Sequence, residues 1–148
     1  MPYLKITSPE LNSEQCKIIS ERLTLEINNL FYNPKARLSR EELRERTTVH
    51  FVPYADNLLF IGGKTPKERG VNDITLELSD WYMSVKQQRK IAKYLTPILA
   101  ELFKVQLEKI DNINIRFHSY PPTDFAVGGK LLSDIIPFIG KFAKRVFG

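Results

Sequence analysis

Thr48-Val49-His50-Phe51-Val52-Pro53-Tyr54, followed by Leu58-Leu59-Phe60-Ile61-Gly62-Gly63-Lys64, is the passage on which the fold turns. It returns further along the chain. The second copy is Asn114-Ile115-Arg116-Phe117-His118-Ser119-Tyr120, followed by Phe125-Ala126-Val127-Gly128-Gly129-Lys130. Each copy is an alternating strand that leads into a short hairpin ending in Gly-Gly. Upstream of each lies a helical pattern, and before that another strand. Two copies make a duplicated βαβ unit, since a solenoid needs more.

The leading strands are expected over 2–7 and 74–81. The first helix is expected over 13–30, capped by Asn12 or Ser13 and with Glu14 in its first turn. Ile19, Leu23, Ile27 and Leu30 recur there at helical spacing. The second helix is expected over 85–103, with Ser84 as cap and an apolar face of Ile91, Ala92, Leu95, Ile98, Leu99, Leu102 and Phe103. Unit one covers 2–64 and unit two 73–130. Together they predict an α/β chain: a four-stranded sheet with both helices on one face, in a single domain over 1–148. Pro34 ends the first helix, and Ser39-Arg40-Glu41-Glu42 reads as a capping box for a short charged helix.

The tail over 131–148 reads as a further helix, starting near Pro137. Its apolar side is Phe138, Ile139, Phe142, Ala143, Val146 and Phe147, and Lys141, Lys144 and Arg145 lie elsewhere. Packing on its own or a neighbouring subunit is the expected role, with membrane-surface contact as the alternative.

The chain has 148 residues, enough for one domain with a core. No apolar run reaches the ~18 residues of a membrane span, and no signal-peptide core is seen, so a cytoplasmic location is expected. The single cysteine, Cys16, rules out an intrachain disulfide and a cysteine-built metal site. The net charge is +5, but much of the excess sits in Lys130, Lys141, Lys144 and Arg145. There is no basic stripe interleaved with aromatics, so nucleic acid is not an expected partner.

Pro2 directly follows Met1. Removal of Met1 would leave Pro2 as a free secondary amine. An α-amino group ordinarily titrates at about 7.7–8.0. Burial and nearby cations disfavour its charged form, which suits it to be a neutral general base near pH 7. In unit two, Asn114, Arg116 and His118 alternate with Ile113, Ile115 and Phe117. Arg116 is thus the best candidate to hold a substrate carboxylate. The alternative reading of Arg116 is an ion pair between subunits.

Pro2, the duplication and both Gly-Gly endings together resemble the tautomerase superfamily. That superfamily includes 4-oxalocrotonate tautomerase, 5-carboxymethyl-2-hydroxymuconate isomerase and macrophage migration inhibitory factor. The likeness covers about residues 2 to 130. It implies a tautomerase fold, a homotrimer with active sites near subunit boundaries, and Pro2 as the general base. It implies keto–enol proton transfer on a small enol or α-keto carboxylate, with no cofactor and no metal. It also implies substrate-binding roles for Arg116, Asn114, Lys35 and Phe125. His50 matches a histidine that is not the base, and reads as a structural residue. Pro9-Glu10-Leu11-Asn12 lacks the arginine of 4-oxalocrotonate tautomerase, which argues against a dicarboxylate substrate. Two alternatives stay open: a dehalogenase or decarboxylase of the same superfamily, and a non-catalytic binding protein on the same fold.

Overall fold

The first strand, β1 (Tyr3–Pro9), alternates buried and open positions, with Leu4, Ile6 and Ser8 inward. That two-residue period is the mark of a strand covered on one face. The computed structural model describes residues 1–135. The expected helix start at Pro137, and the tail beyond it, lie outside the described residues.

After β1 the chain runs through α1 (Ser13–Phe31), α2 (Arg40–Glu45) and β2 (Thr48–Tyr54). Then come α3 (Pro66–Arg69), β3 (Ile74–Trp81), α4 (Val85–Leu102) and β4 (Ile113–Tyr120). A small ribbon, β5 (Ala126–Val127) with β6 (Lys130–Leu131), precedes α5 (Leu132–Ile135). The sheet order is β2-β1-β3-β4. The outer pairs β1–β2 and β3–β4 are parallel, as two βαβ units require, and the central pair β1–β3 is antiparallel.

Local signals set the helix ends. Asn12 caps α1 in a full capping box with Gln15, and Ser84 caps α4 by accepting from the Gln87 N–H. Ser39 and Glu42 form the box that starts α2. The helix α3 has its own signature, Thr65 as cap with Pro66 in the first turn. Both Gly-Gly pairs take positive φ, with Gly62 at 60° and Gly63 at 75°, and Gly128 at 58° and Gly129 at 81°. A two-residue hairpin of this hand needs that geometry, and a side chain would strain it.

Both long helices lie on one face of the sheet. Ile19, Leu23 and Ile27 of α1 and Ile91, Leu95 and Leu99 of α4 close over Leu4, Ile6, Leu76 and Leu78. Each such side chain contributes roughly 1.5–3 kcal/mol by leaving water. The helices are also tied by the Tyr94 hydroxyl, which donates to Glu26 at 2.5 Å. The other sheet face carries Tyr3, Lys5, Glu77, Arg116 and His118, and no helix among the described residues covers it. Lys5 and His118 both reach Glu77 there, at 3.8 and 3.3 Å. Among the described residues, no helix is long and apolar enough to cross a membrane.

Candidate active site

The antiparallel register pairs Tyr3 with Ser79. Continued by one residue, it sets Pro2 opposite Asp80. Both are buried, and both share the phase of the inward residues Leu4 and Leu78. The amino-terminal ammonium of Met1 donates to Asp80 Oδ1 at 2.7 Å, and the Trp81 N–H donates to the same oxygen at 2.9 Å. Burial pushes the Asp80 carboxyl above the usual carboxylate range; the ammonium and the Trp81 N–H pull the other way. The Pro2 carbonyl accepts from the Thr48 N–H at 3.0 Å, which ties the start of β1 to the start of β2.

Aromatic side chains rim this end of the sheet. Trp81 and Tyr82 follow Asp80 with ring centroids 5.6 Å apart. Tyr82 holds φ at +50°, a left-handed conformation that a non-glycine residue adopts at a cost of roughly 1–2 kcal/mol. It is fixed there by its N–H, which donates to the Tyr120 carbonyl at 3.1 Å. The Tyr120 ring stacks on Phe125 at 5.9 Å. Burial first, and the charge of Asp80 after it, pushes the Tyr120 hydroxyl up to about 12. The hydroxyl therefore stays protonated at neutral pH and can donate a hydrogen bond.

The residues singled out from the sequence divide into two groups. Phe125 stands at the Pro2 end of the sheet, on Tyr120. Lys35 is exposed in the stretch after α1, which emerges at that same end because α1 runs back along β1. Arg116 is level with Glu77, three residues along its strand from the row of Asp80, or about 10 Å. It is exposed on the uncovered sheet face, so it does not meet Pro2 within one chain. Asn114 is level with Thr75 at the opposite end and donates to Asp73 at 3.0 Å. His50 Nδ1 lies 2.6 Å from the Tyr3 hydroxyl, a partner that gives it a structural task.

Asp80 escaped the reading of the sequence. Its signal was there: Ile74, Leu76 and Leu78 set an inward phase on β3, and Asp80 carries a charge on that phase. A concavity of about 630 Å³ opens between α1 and α2 beside Ser20, Thr24, Asn28 and Arg40. It contains none of the residues singled out above. Among the described residues, no cluster of three or more His, Cys, Asp or Glu is placed to hold a metal ion.

No family model matches the chain, and no curated protein matches it in sequence. Solved structures do match. An asymmetric trimer of a wild-type fused 4-OT superposes with a TM-score of 0.67 at 13% identity, covering 90% of this chain and 98% of that one. N1, a member of the cis-3-chloroacrylic acid dehalogenase family, gives 0.67 at 14% identity over 97% and 96%. A macrophage migration inhibitory factor homologue from Prochlorococcus marinus gives 0.64 at 10% identity over 88% and 98%. The fold is that of the tautomerase superfamily.

Proposed function

We propose that this chain, once Met1 is removed, is a cofactor-independent tautomerase that moves a proton on a small enol or α-keto carboxylate. One observation carries the reading: Pro2 is buried opposite Asp80 at the aromatic-rimmed end of the sheet. The neutral Pro2 amine takes the proton from the enol or from the carbon beside the carbonyl, then returns it to the other position. Charge develops on the carbonyl oxygen meanwhile, and the protonated Tyr120 hydroxyl is the donor able to meet it. Phe125 packs against the carbon body of the substrate. Lys35 draws the carboxylate to this end.

Arg116 and Asn114 act in this scheme from a neighbouring protomer of a homotrimer, because neither reaches Pro2 in its own chain. The trimeric fused 4-OT supports that assembly by likeness of fold.

Intact mass of the protein from its own host, joined to turnover of phenylenolpyruvate, tests the reading. The expected outcome is a chain that begins at Pro2, with a Pro2→Ala variant slowed by roughly 10²–10⁴-fold. A retained methionine, or equal turnover by both proteins, would overturn it. A second reading, hydrolytic dehalogenation, is favoured by one observation: Asp80 is an acidic group beside the amine, of the kind that could activate water. Halide release from a 3-haloacrylate would promote it over tautomerisation.

A further inference from the structure

The contact between Asp80 and the amino terminus joins residues 79 positions apart and buries a charged side chain in the core. Asp80 is 6% exposed and sits on the inward, otherwise apolar phase of β3. A carboxylate in that setting is costly unless it is paired. Its Oδ1 has two donors, the Met1 ammonium and the Trp81 N–H. A buried acid thus stands where the Met1 amine lies.

Removal of Met1 moves that amine by a single residue. Backbone dimensions keep the Pro2 nitrogen within about 6 Å of the same oxygen. Continued one residue past the Tyr3–Ser79 pair, the strand register makes Pro2 and Asp80 cross-strand neighbours, whose Cα atoms stand about 4.5–5.5 Å apart in such a pair. We propose that Asp80 is the positioning residue of the processed amino terminus, taking the Pro2 N–H as its hydrogen-bond partner in place of Met1. This rests on the reading of Pro2 as base.

Two consequences follow from the chemistry of a secondary amine. Neutral amino-terminal proline has one N–H and one lone pair. With the N–H held by Asp80, the lone pair is directed away from the carboxylate, toward the space that a substrate would fill. The carboxylate also favours the protonated amine, against the effect of burial, and so raises its proton affinity. Tyr120 on β4 also feels the charge of Asp80 and remains neutral, so it does not compete for the proton.

The test uses processed full-length protein labelled with ¹⁵N-proline. The Pro2 nitrogen is titrated by NMR in wild type and in Asp80→Asn. The expected result is a fall in the amine pKa of about one unit or more. The acid limb of kcat/KM should move to lower pH with it, and the plateau at high pH should drop because the base is weaker. An unchanged amine pKa in Asp80→Asn would overturn the proposal. In wild type, the ¹³C carboxyl signal of Asp80 should show a second step where the amine titrates, and its absence would overturn the proposal without any variant. The two readings fail separately. If the amine pKa falls in Asp80→Asn while Pro2→Ala stays fully active, Asp80 holds the amine but Pro2 is not the base. If Pro2→Ala is inactive and the amine pKa does not move, Asp80 has no positioning role.

Discussion

The two ends of the central β1–β3 pair occupy equivalent places in the duplicated fold, and they are built differently. Phe51 is level with Ile6, and Phe117 with Leu78. When the units are superposed on those residues, Pro2 falls on Ile74 and Ser8 falls on Asp80. One end therefore carries a buried proline opposite a buried carboxylate. The other carries a buried isoleucine opposite a buried serine, whose hydroxyl donates to the Pro9 carbonyl at 2.9 Å. Tyr54 and Tyr120 are a third such pair. The Tyr54 hydroxyl donates to the Asp73 carbonyl at 2.8 Å and accepts from the Asp73 N–H at 3.1 Å, whereas Tyr120 stacks on Phe125. Duplication supplied the scaffold twice. At the second end Ser8 and Tyr54 bond to nearby backbone, and at the first end Asp80 bonds to the amino-terminal ammonium.

Substitutions at equivalent positions can break this contrast. The largest effect on stability is expected at Ile74. Ile74→Ala should cost roughly 2–5 kcal/mol in urea unfolding, because it opens a cavity in the core. Pro2→Ala, at the equivalent place, should cost about 1 kcal/mol or less while slowing turnover by roughly 10²–10⁴-fold. Equal losses of stability would make the two ends alike.

The second contrast is in pH dependence. Burial raises the folded-state pKa of Asp80 above its unfolded value. A carboxyl shifted that way stabilises the fold below its unfolded pKa, and the contribution is lost as pH rises through the folded pKa. Asp80→Asn cannot ionise. Its melting temperature should therefore exceed that of wild type at pH 7, and the gap should close as pH falls toward about 4. Ser8→Ala should instead lose about 1 kcal/mol at every pH, since a hydroxyl does not titrate in that range.

The smallest contrast is between the tyrosines. Tyr54→Phe strands the Asp73 carbonyl and N–H and should cost about 1 kcal/mol in thermal melts. Tyr120→Phe should change stability by less than about 0.5 kcal/mol and appear instead as slower turnover. A Tyr120→Phe protein with full activity would remove Tyr120 from the reaction.

Much of the scaffold was legible beforehand, because its causes are local. The inward phase of Leu4 and Ile6, the caps at Asn12, Ser39 and Ser84, and the Gly-Gly hairpins each depend on a few neighbouring residues. Asn114, Arg116 and His118 were rightly placed on the face away from the helices. The helix α3 was missed although Thr65-Pro66 announces it, since four residues carry too little periodicity to stand out. Asp80 was missed because one charge on an apolar phase reads as a strand end until its partner is known.

The sequence alone determined the elements, their faces and the doubling of the unit, since periodicity and capping act over a turn or two of chain. Only the tertiary structure decided what stands beside Pro2. The antiparallel β1–β3 register carries the end of β3 to the start of β1 and brings Asp80 to the amine. The parallel β3–β4 pairing sets Asn114 at the far end and Arg116 midway along the sheet. Strand direction and register join residues far apart in the chain, and no local pattern encodes which of them meet.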